Sequence, residues 1–175
     1  MGHAGIIKFK DKHGQRIRPF ESIEEHDQTI IDNHNKVVKP EDRVYFLGDI
    51  AINRKAIPLI SKFNGRKKLI KGNHDIFKLP DYTEIFEDIL AYRIYPKHGL
   101  VVSHIPIHPS QLEFRFKYNM HGHSHSNHVC RRNLFYRMVP DRRFINICPE
   151  IVGFRPIEFE EIQEWMKNGT APIRV

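Results

Sequence analysis

Four β-type runs in this chain each end in residues able to hold a metal ion, and that repeated ending narrows the folds open to it. Arg43-Val44-Tyr45-Phe46-Leu47 runs into Gly48-Asp49, and Lys67-Lys68-Leu69-Ile70-Lys71 into Gly72-Asn73-His74-Asp75. Leu100–Ser103 runs into His104, and Phe114–Met120 into His121-Gly122-His123-Ser124-His125. The nearly continuous apolar character of Val44–Leu47 predicts a buried strand. Strand ends in an open α/β sheet are where ligands collect, since the loops there converge on one crevice. Taken singly, each ending has a plain structural reading. A strand-end Asp caps a helix, a lone His is satisfied in place, and His residues at i and i+2 share a face of any strand. Four such endings in order, three of them beside glycine, are hard to obtain by chance.

The rest of the chain predicts an α/β sandwich: two packed sheets with helices outside. Ser22-Ile23-Glu24-Glu25 is a capping box, and Ile23, Ile30, Ile31, Val37 and Val38 follow at helical spacing, which predicts a helix from Ser22 to Val38 stopped by Pro40. Residues 53–63 are expected to be helical. Tyr92–Tyr95 and Leu100–Ser103 flank Pro96-Lys97-His98-Gly99 as a hairpin. Phe144–Cys148 and Pro156–Phe159 are expected as strands, and Glu160–Lys167 as a closing helix with Gly169 past its end. At 175 residues, without repeat, low-complexity tract or linker, the chain is expected to be a single domain over 1–175.

Composition adds one statement about partners. The chain is 40% hydrophobic with scattered charges, carries no apolar run long enough to span a bilayer, and begins without the apolar stretch of a signal peptide. Ile6 stands where N-myristoylation wants Ser or Thr. Cys130 and Cys148 lie far apart and form no Cys-x-x-Cys unit, so a reduced, cytoplasmic protein is expected. The formal charge is +7, with Lys and Arg gathered in Arg54–Lys71 and Arg131–Arg143. A positive surface concentrates phosphates, nucleotides or nucleic acid; a solvated basic face without a partner reads equally well. Arg131, Arg132, Arg142 and Arg143 are candidates for phosphate or polynucleotide contact on the same terms. Among the twelve histidines, His26 and His34 are expected on the surface of the first helix, His108 in a loop, and His121 as a strand cap or a support for neighbouring ligands.

Gly-Asp, then Gly-Asn-His-Asp, then a His, then Gly-His-x-His resembles the signature set of the calcineurin-like metallophosphoesterases. Ile6-Ile7-Lys8-Phe9, Arg18-Pro19-Phe20, Val44–Ala51, Ser103-His104-Ile105-Pro106 and Ile145-Asn146-Ile147 resemble the small phage and bacterial branch of that superfamily. The resemblance implies a four-layer α/β/β/α sandwich and a hydrolase of phosphoric esters, either phosphodiesterase or phosphomonoesterase. It implies that Asp49 bridges two cations, with Asn73, His104 and His123 completing one metal's shell and His125 serving the other. Mixed N/O ligation of this kind suits Mn, Fe, Co, Ni or Zn. His74 would act on the scissile phosphate, with Asp75 orienting its imidazole, and the nucleophile would be a metal-bound hydroxide attacking in line. The substrate is expected to be a phosphate ester, with a lean toward nucleotide or nucleic acid.

One part of the pattern is missing. The superfamily opens with Asp-x-His at the end of its first strand, both residues being ligands to the metal that His125 serves. Here Met1-Gly2-His3-Ala4-Gly5 stands where the last x of that motif falls. Three explanations follow: a start placed downstream of the true one, so that an inner strand and two ligands are absent; a short form that keeps one metal, with His3 approaching the other position; or a non-catalytic nucleic-acid- or protein-binding module with a vestigial site. Loss of an inner strand would leave its neighbour with unpaired backbone groups and an apolar gap.

Overall fold

The structure, a computed structural model, describes residues 1–11 and 13–171. Its architecture is mixed α/β. In chain order the elements are α1 (Ile23–Val37), β1 (Arg43–Phe46), a 3-10 helix (Arg54–Lys62), β2 (Arg66–Ile70), α2 (Leu79–Thr83), β3 (Asp88–Leu90), β4 (Tyr92–Tyr95), β5 (Leu100–Ser103), α3 (Gln111–Phe114), β6 (Tyr118–His121), β7 (Cys130–Arg132), β8 (Met138–Pro140), β9 (Phe144–Asn146), α4 (Pro149–Val152) and α5 (Phe159–Asn168). Strands β1-β2-β3 form a parallel sheet, β4-β5-β6-β9 a mixed one, and β7-β8 a separate hairpin.

Alternation along the strands divides the apolar side chains between two cores. Leu69, with Phe46 and Ile89, packs against Ile31 of α1 and against Ile57 and Ile60 of the 3-10 helix. Ile70, with Tyr45 and Leu90, joins Leu100, Val102, Met120 and Ile145 of the second sheet and Ile162 and Met166 of α5. The two sheets thus share one core, while the first sheet's other face carries helices. Because β1 and β2 are parallel, and β5, β6 and β9 are parallel, the chain leaves each set at one end, and the loops that follow are brought together.

The helix expected from Ser22 forms: Ser22 is its N-cap and its hydroxyl accepts from the Glu25 N–H at 3.0 Å. The capping box is only half made, since the Glu25 carboxylate takes the N–H of Glu21 rather than that of Ser22. His26 and His34 are buried, contrary to the surface position expected of them. His26 is held by Arg18 and Asp27, and His34 Nε2–H donates to the Asn64 carbonyl at 3.0 Å while the ring packs on Phe46 and Phe63. The strand expected over Phe114–Met120 is shorter. Residues Gln111–Phe114 form α3 with Phe114 left exposed, and pairing with β5 begins only at Tyr118. Pro156–Phe159 joins no sheet among the described residues, and Phe159 opens α5.

β1 departs most tellingly from its sequence. Val44, Tyr45 and Phe46 read as a buried strand, yet they are only half-buried. Among the described residues β1 pairs with β2 alone. The residues of β1 line a groove of about 1150 Å³ that also takes in Ile30, Ile147, Ile157 and Ile162 and reaches His3, Asp49, His74, His104, His123 and His125. Among the described residues, β1 is thus an edge strand beside a partly apolar groove.

Candidate metal centre

The loop after β1 delivers Asp49, that after β2 delivers Asn73, the residue after β5 is His104, and the turn after β6 carries His123. Their donor atoms converge. His104 Nε2 lies 3.2 Å from Asp49 Oδ2, 3.1 Å from Asn73 Oδ1 and 3.2 Å from His123 Nδ1. Asp49, His104 and His123 each offer a ligand atom within 4.8 Å of the others.

Several local features force this approach. His104 is buried, and its Nδ1 faces the Leu47 carbonyl at 2.5 Å. In the neutral ring Nδ1–H donates there, which leaves the Nε2 lone pair facing the cluster. Gly48 and Gly72 let the first two loops touch: a Cβ on Gly48 would stand 2.5 Å from both Gly72 N and His104 Nδ1, and one on Gly72 would overlap the Asp49 carboxylate. Asp49, His123 and His125 all have left-handed backbone, at φ 52°, 62° and 50°. Non-glycine residues held there carry a cost of roughly 1–3 kcal/mol each, and such positions gather at functional sites.

Asp49 and His104 hold each other toward their charged forms. Burial alone would raise the Asp49 pKa, but hydrogen bonds from His104 and from the His74 N–H hold it below the ordinary value. Burial likewise disfavours a charged His104, yet the Asp49 carboxylate and the Leu47 carbonyl bring its pKa above the usual histidine value. Burial and the neighbouring His104 lower His123. With His104 neutral, its Nε2 faces the Asp49, Asn73 and His123 atoms as an acceptor; protonated, it donates to the Asp49 carboxylate. The donor spacing fits a cation: at bond lengths of about 2.0–2.2 Å, adjacent ligands lie roughly 2.8–3.6 Å apart.

The remaining expected residues fall around this centre. His74 is exposed, and its backbone N–H donates to Asp49 Oδ1 at 2.8 Å. Asp75 does not orient the His74 imidazole as expected. Its fully buried carboxylate accepts instead from the backbone N–H groups of Asp49, Ile50 and Gly72, at 2.9, 3.1 and 2.8 Å, and so ties the two loops together. His125 stands outside the group of converging donors, with Nδ1 on Glu150 Oε1 at 2.9 Å. His3 lies on the same side, both it and His125 meeting the Phe9 ring edge-on. His121 is buried, its pKa pushed down to about 4 by that burial, and its Nδ1 meets the Gly122 carbonyl just ahead of His123.

Glu150 was not singled out by the sequence, and Arg18 entered only within the segment Arg18-Pro19-Phe20, with no role of its own. Glu150 Oε2 accepts from Arg18 at 2.9 Å, Arg18 reaches His26 Nε2 at 2.8 Å, and His26 Nδ1 meets Asp27 at 2.8 Å. A buried polar chain therefore runs from His125 to Asp27. The signal was present: Glu150 comes shortly after the apolar run Phe144–Cys148, the same polar-after-strand pattern that marked the other four endings.

No protein-family model matches the chain. The uncharacterized protein MJ1445 of Methanocaldococcus jannaschii is 32% identical to it over 97% of this chain and 88% of that protein. The chain belongs to the family of MJ1445. Gene 66 protein of Mycobacterium phage L5 is 32% identical over 79% of this chain and 80% of its own length. The crystal structure of AQ665 from Aquifex aeolicus, a protein of unknown function, superposes with a TM-score of 0.59 at 27% identity, over 83% of this chain and 88% of that one.

Proposed function

We propose that this member of the MJ1445 family is a metal-dependent phosphoric ester hydrolase of the calcineurin-like kind, on a four-layer α/β/β/α sandwich and acting in the cytoplasm. The observation that carries the reading is the convergence of Asp49 Oδ2, Asn73 Oδ1 and His123 Nδ1 on His104 Nε2 within 3.2 Å. These four residues would hold one divalent transition metal, Mn, Zn, Fe, Co or Ni. A dication there supplies Lewis acidity toward a phosphoryl oxygen and acidifies water.

The chain's own residues supply the rest. Leu47 and Asp75 fix the ligands, through the His104 Nδ1 contact and the backbone N–H groups of both loops. His74, anchored by its backbone to Asp49 and exposed, carries an imidazole at the rim of the centre where it can donate a proton to a leaving oxygen. His125, held by Glu150, and His3, which meets the same Phe9 ring, would serve the second metal of the complete pattern.

Hydrolysis of bis(4-nitrophenyl) phosphate with added manganese tests the reading. His74→Ala is expected to lose most turnover, about 100-fold or more for a lost general acid, while keeping its metal. Wild-type turnover in that variant overturns the role of His74, and manganese-independent or absent hydrolysis by the wild type overturns the enzyme reading.

A further inference from the structure

The β7–β8 hairpin stands apart from both sheets, and its surface is unlike the rest of the molecule. Its strands pair antiparallel, with Arg131 opposite Val139 and Arg132 opposite Met138. The tip is braced by one side chain: Asn133 Oδ1 accepts the N–H groups of Phe135 and Arg137 at 2.9 and 3.0 Å, and the Asn133 N–H donates to the Arg137 carbonyl at 2.9 Å. Tyr136 completes the turn in left-handed backbone at φ 58°. This brace holds Leu134, Phe135 and Tyr136 outward at 95%, 81% and 81% exposure. Three consecutive large apolar side chains so exposed on an ordered turn mark a contact surface.

Charge selects the partner. From Ser126 to Pro140 the chain has three arginines, Arg131, Arg132 and Arg137, and no acidic residue. All three are exposed, and none is in a salt bridge among the described residues, which also holds for Arg43, Arg93, Arg115 and Arg142; what sets the hairpin apart is that three such arginines flank exposed aromatic rings with no acidic residue between them. The nearest acid, Asp141, is buried and engaged by Arg143. Unpaired guanidiniums flanking two exposed aromatic rings are the two halves of a single-strand nucleic-acid grip: arginine for the phosphates, ring faces for the bases. Successive residues of a strand face opposite sides, so Arg131 and Arg132 place charge on both faces of the hairpin, as suits a strand wrapped over it better than a flat lipid surface.

The segment leading from the His123–His125 turn into the hairpin is tied to β9 and to the strand's return. The Asn146 side chain donates to the carbonyls of His125 and Asn127, each at 2.8 Å, and the Asp141 N–H donates to the Val129 carbonyl.

We propose that the β7–β8 hairpin binds single-stranded polynucleotide by stacking on Phe135 and Tyr136 and by phosphate contacts to Arg131, Arg132 and Arg137. Presentation of a phosphodiester to the centre rests on the hydrolase reading; the binding itself does not. The test is fluorescence anisotropy of a labelled thymidine 20-mer with the full chain in EDTA, so that failure of hydrolysis leaves the result untouched. Phe135→Ala and Tyr136→Ala are each expected to weaken binding about 5- to 150-fold. Replacing all three arginines by Ala is expected to flatten the log–log salt slope by about 2. These side chains are exposed, so the melting temperature should hold and separate lost contact from unfolding. Unchanged affinity in the variants, equal competition by a duplex of the same length, or binding to phosphatidylserine vesicles without binding to the oligomer would each overturn the proposal. So would a Phe135- and Tyr136-dependent dimer that binds no oligomer.

Discussion

Replacing Glu150 by Ala should be among the most damaging single changes outside the apolar core. The Glu150 side chain is fully buried, that of its partner Arg18 is 8% exposed, and they meet at 2.9 Å. Glu150 also accepts from His125 at 2.9 Å, and Arg18 Nε has no partner among the described residues. Removing the carboxylate leaves a buried guanidinium with only the His26 ring beside it. Breaking one side of a buried pair costs about 3–5 kcal/mol. For a chain of 175 residues each kcal/mol moves the midpoint by about 2–4 °C, so scanning calorimetry should show a fall of roughly 6–20 °C. Glu150→Gln keeps the volume but can no longer accept from both Arg18 and His125, and should fall by less. Pairing Glu150→Leu with Arg18→Met removes both charges and should recover part of the loss, giving a coupling energy of the sign expected for an orphaned charge. A Glu150→Ala midpoint within about 2 °C of wild type, a shift worth under roughly 1 kcal/mol, would refute the claim that Arg18 depends on this carboxylate.

Two further outcomes follow from the loops and the groove. Gly72→Ala places a methyl group 2.5 Å from the Asp49 nitrogen and into its carboxylate; manganese affinity by titration calorimetry should weaken about 10-fold or more as the ligand is displaced, a change of roughly 1.4 kcal/mol, and unchanged affinity would mean that the close approach of the loops is dispensable. An added N-terminal segment of β-branched residues ending in Asp-x-His should pair with the open edge of β1, raising both the melting temperature and the manganese bound per chain. An extension that changes neither would rule out the groove as a strand position.

The cluster was legible because each of its residues sits at the end of a β-type run, and parallel strands bring those ends together; the metal-ligand roles came from the resemblance. Asn73, His104, His123 and Asp49 were therefore placed from four short motifs. Asp75 was misread because the sequence shows its neighbour His74 but not the three backbone N–H groups that fold around it. His26 and His34 were misread for a similar reason. Helical periodicity marks which face is buried by its apolar residues, and partners distant in sequence, Arg18 for one and Asn64 with Phe63 for the other, decide that a histidine can join that face. The Arg18–Glu150 pair spans 132 residues, beyond any local pattern. The half-buried state of β1 could not be read from its own residues either, since Val44–Phe46 describe a strand with two neighbours and only the sheet order shows one among the described residues.

The central claim is that Asp49, Asn73, His104 and His123 bind a metal ion, and metal content tests it most directly. Protein dialysed against manganese and then against buffer should, by elemental analysis, retain about one ion or more per chain, while Asp49→Asn, folded by circular dichroism, should lose most of it. A folded wild type that retains no metal, or an Asp49→Asn variant that retains as much as the wild type, would contradict the account.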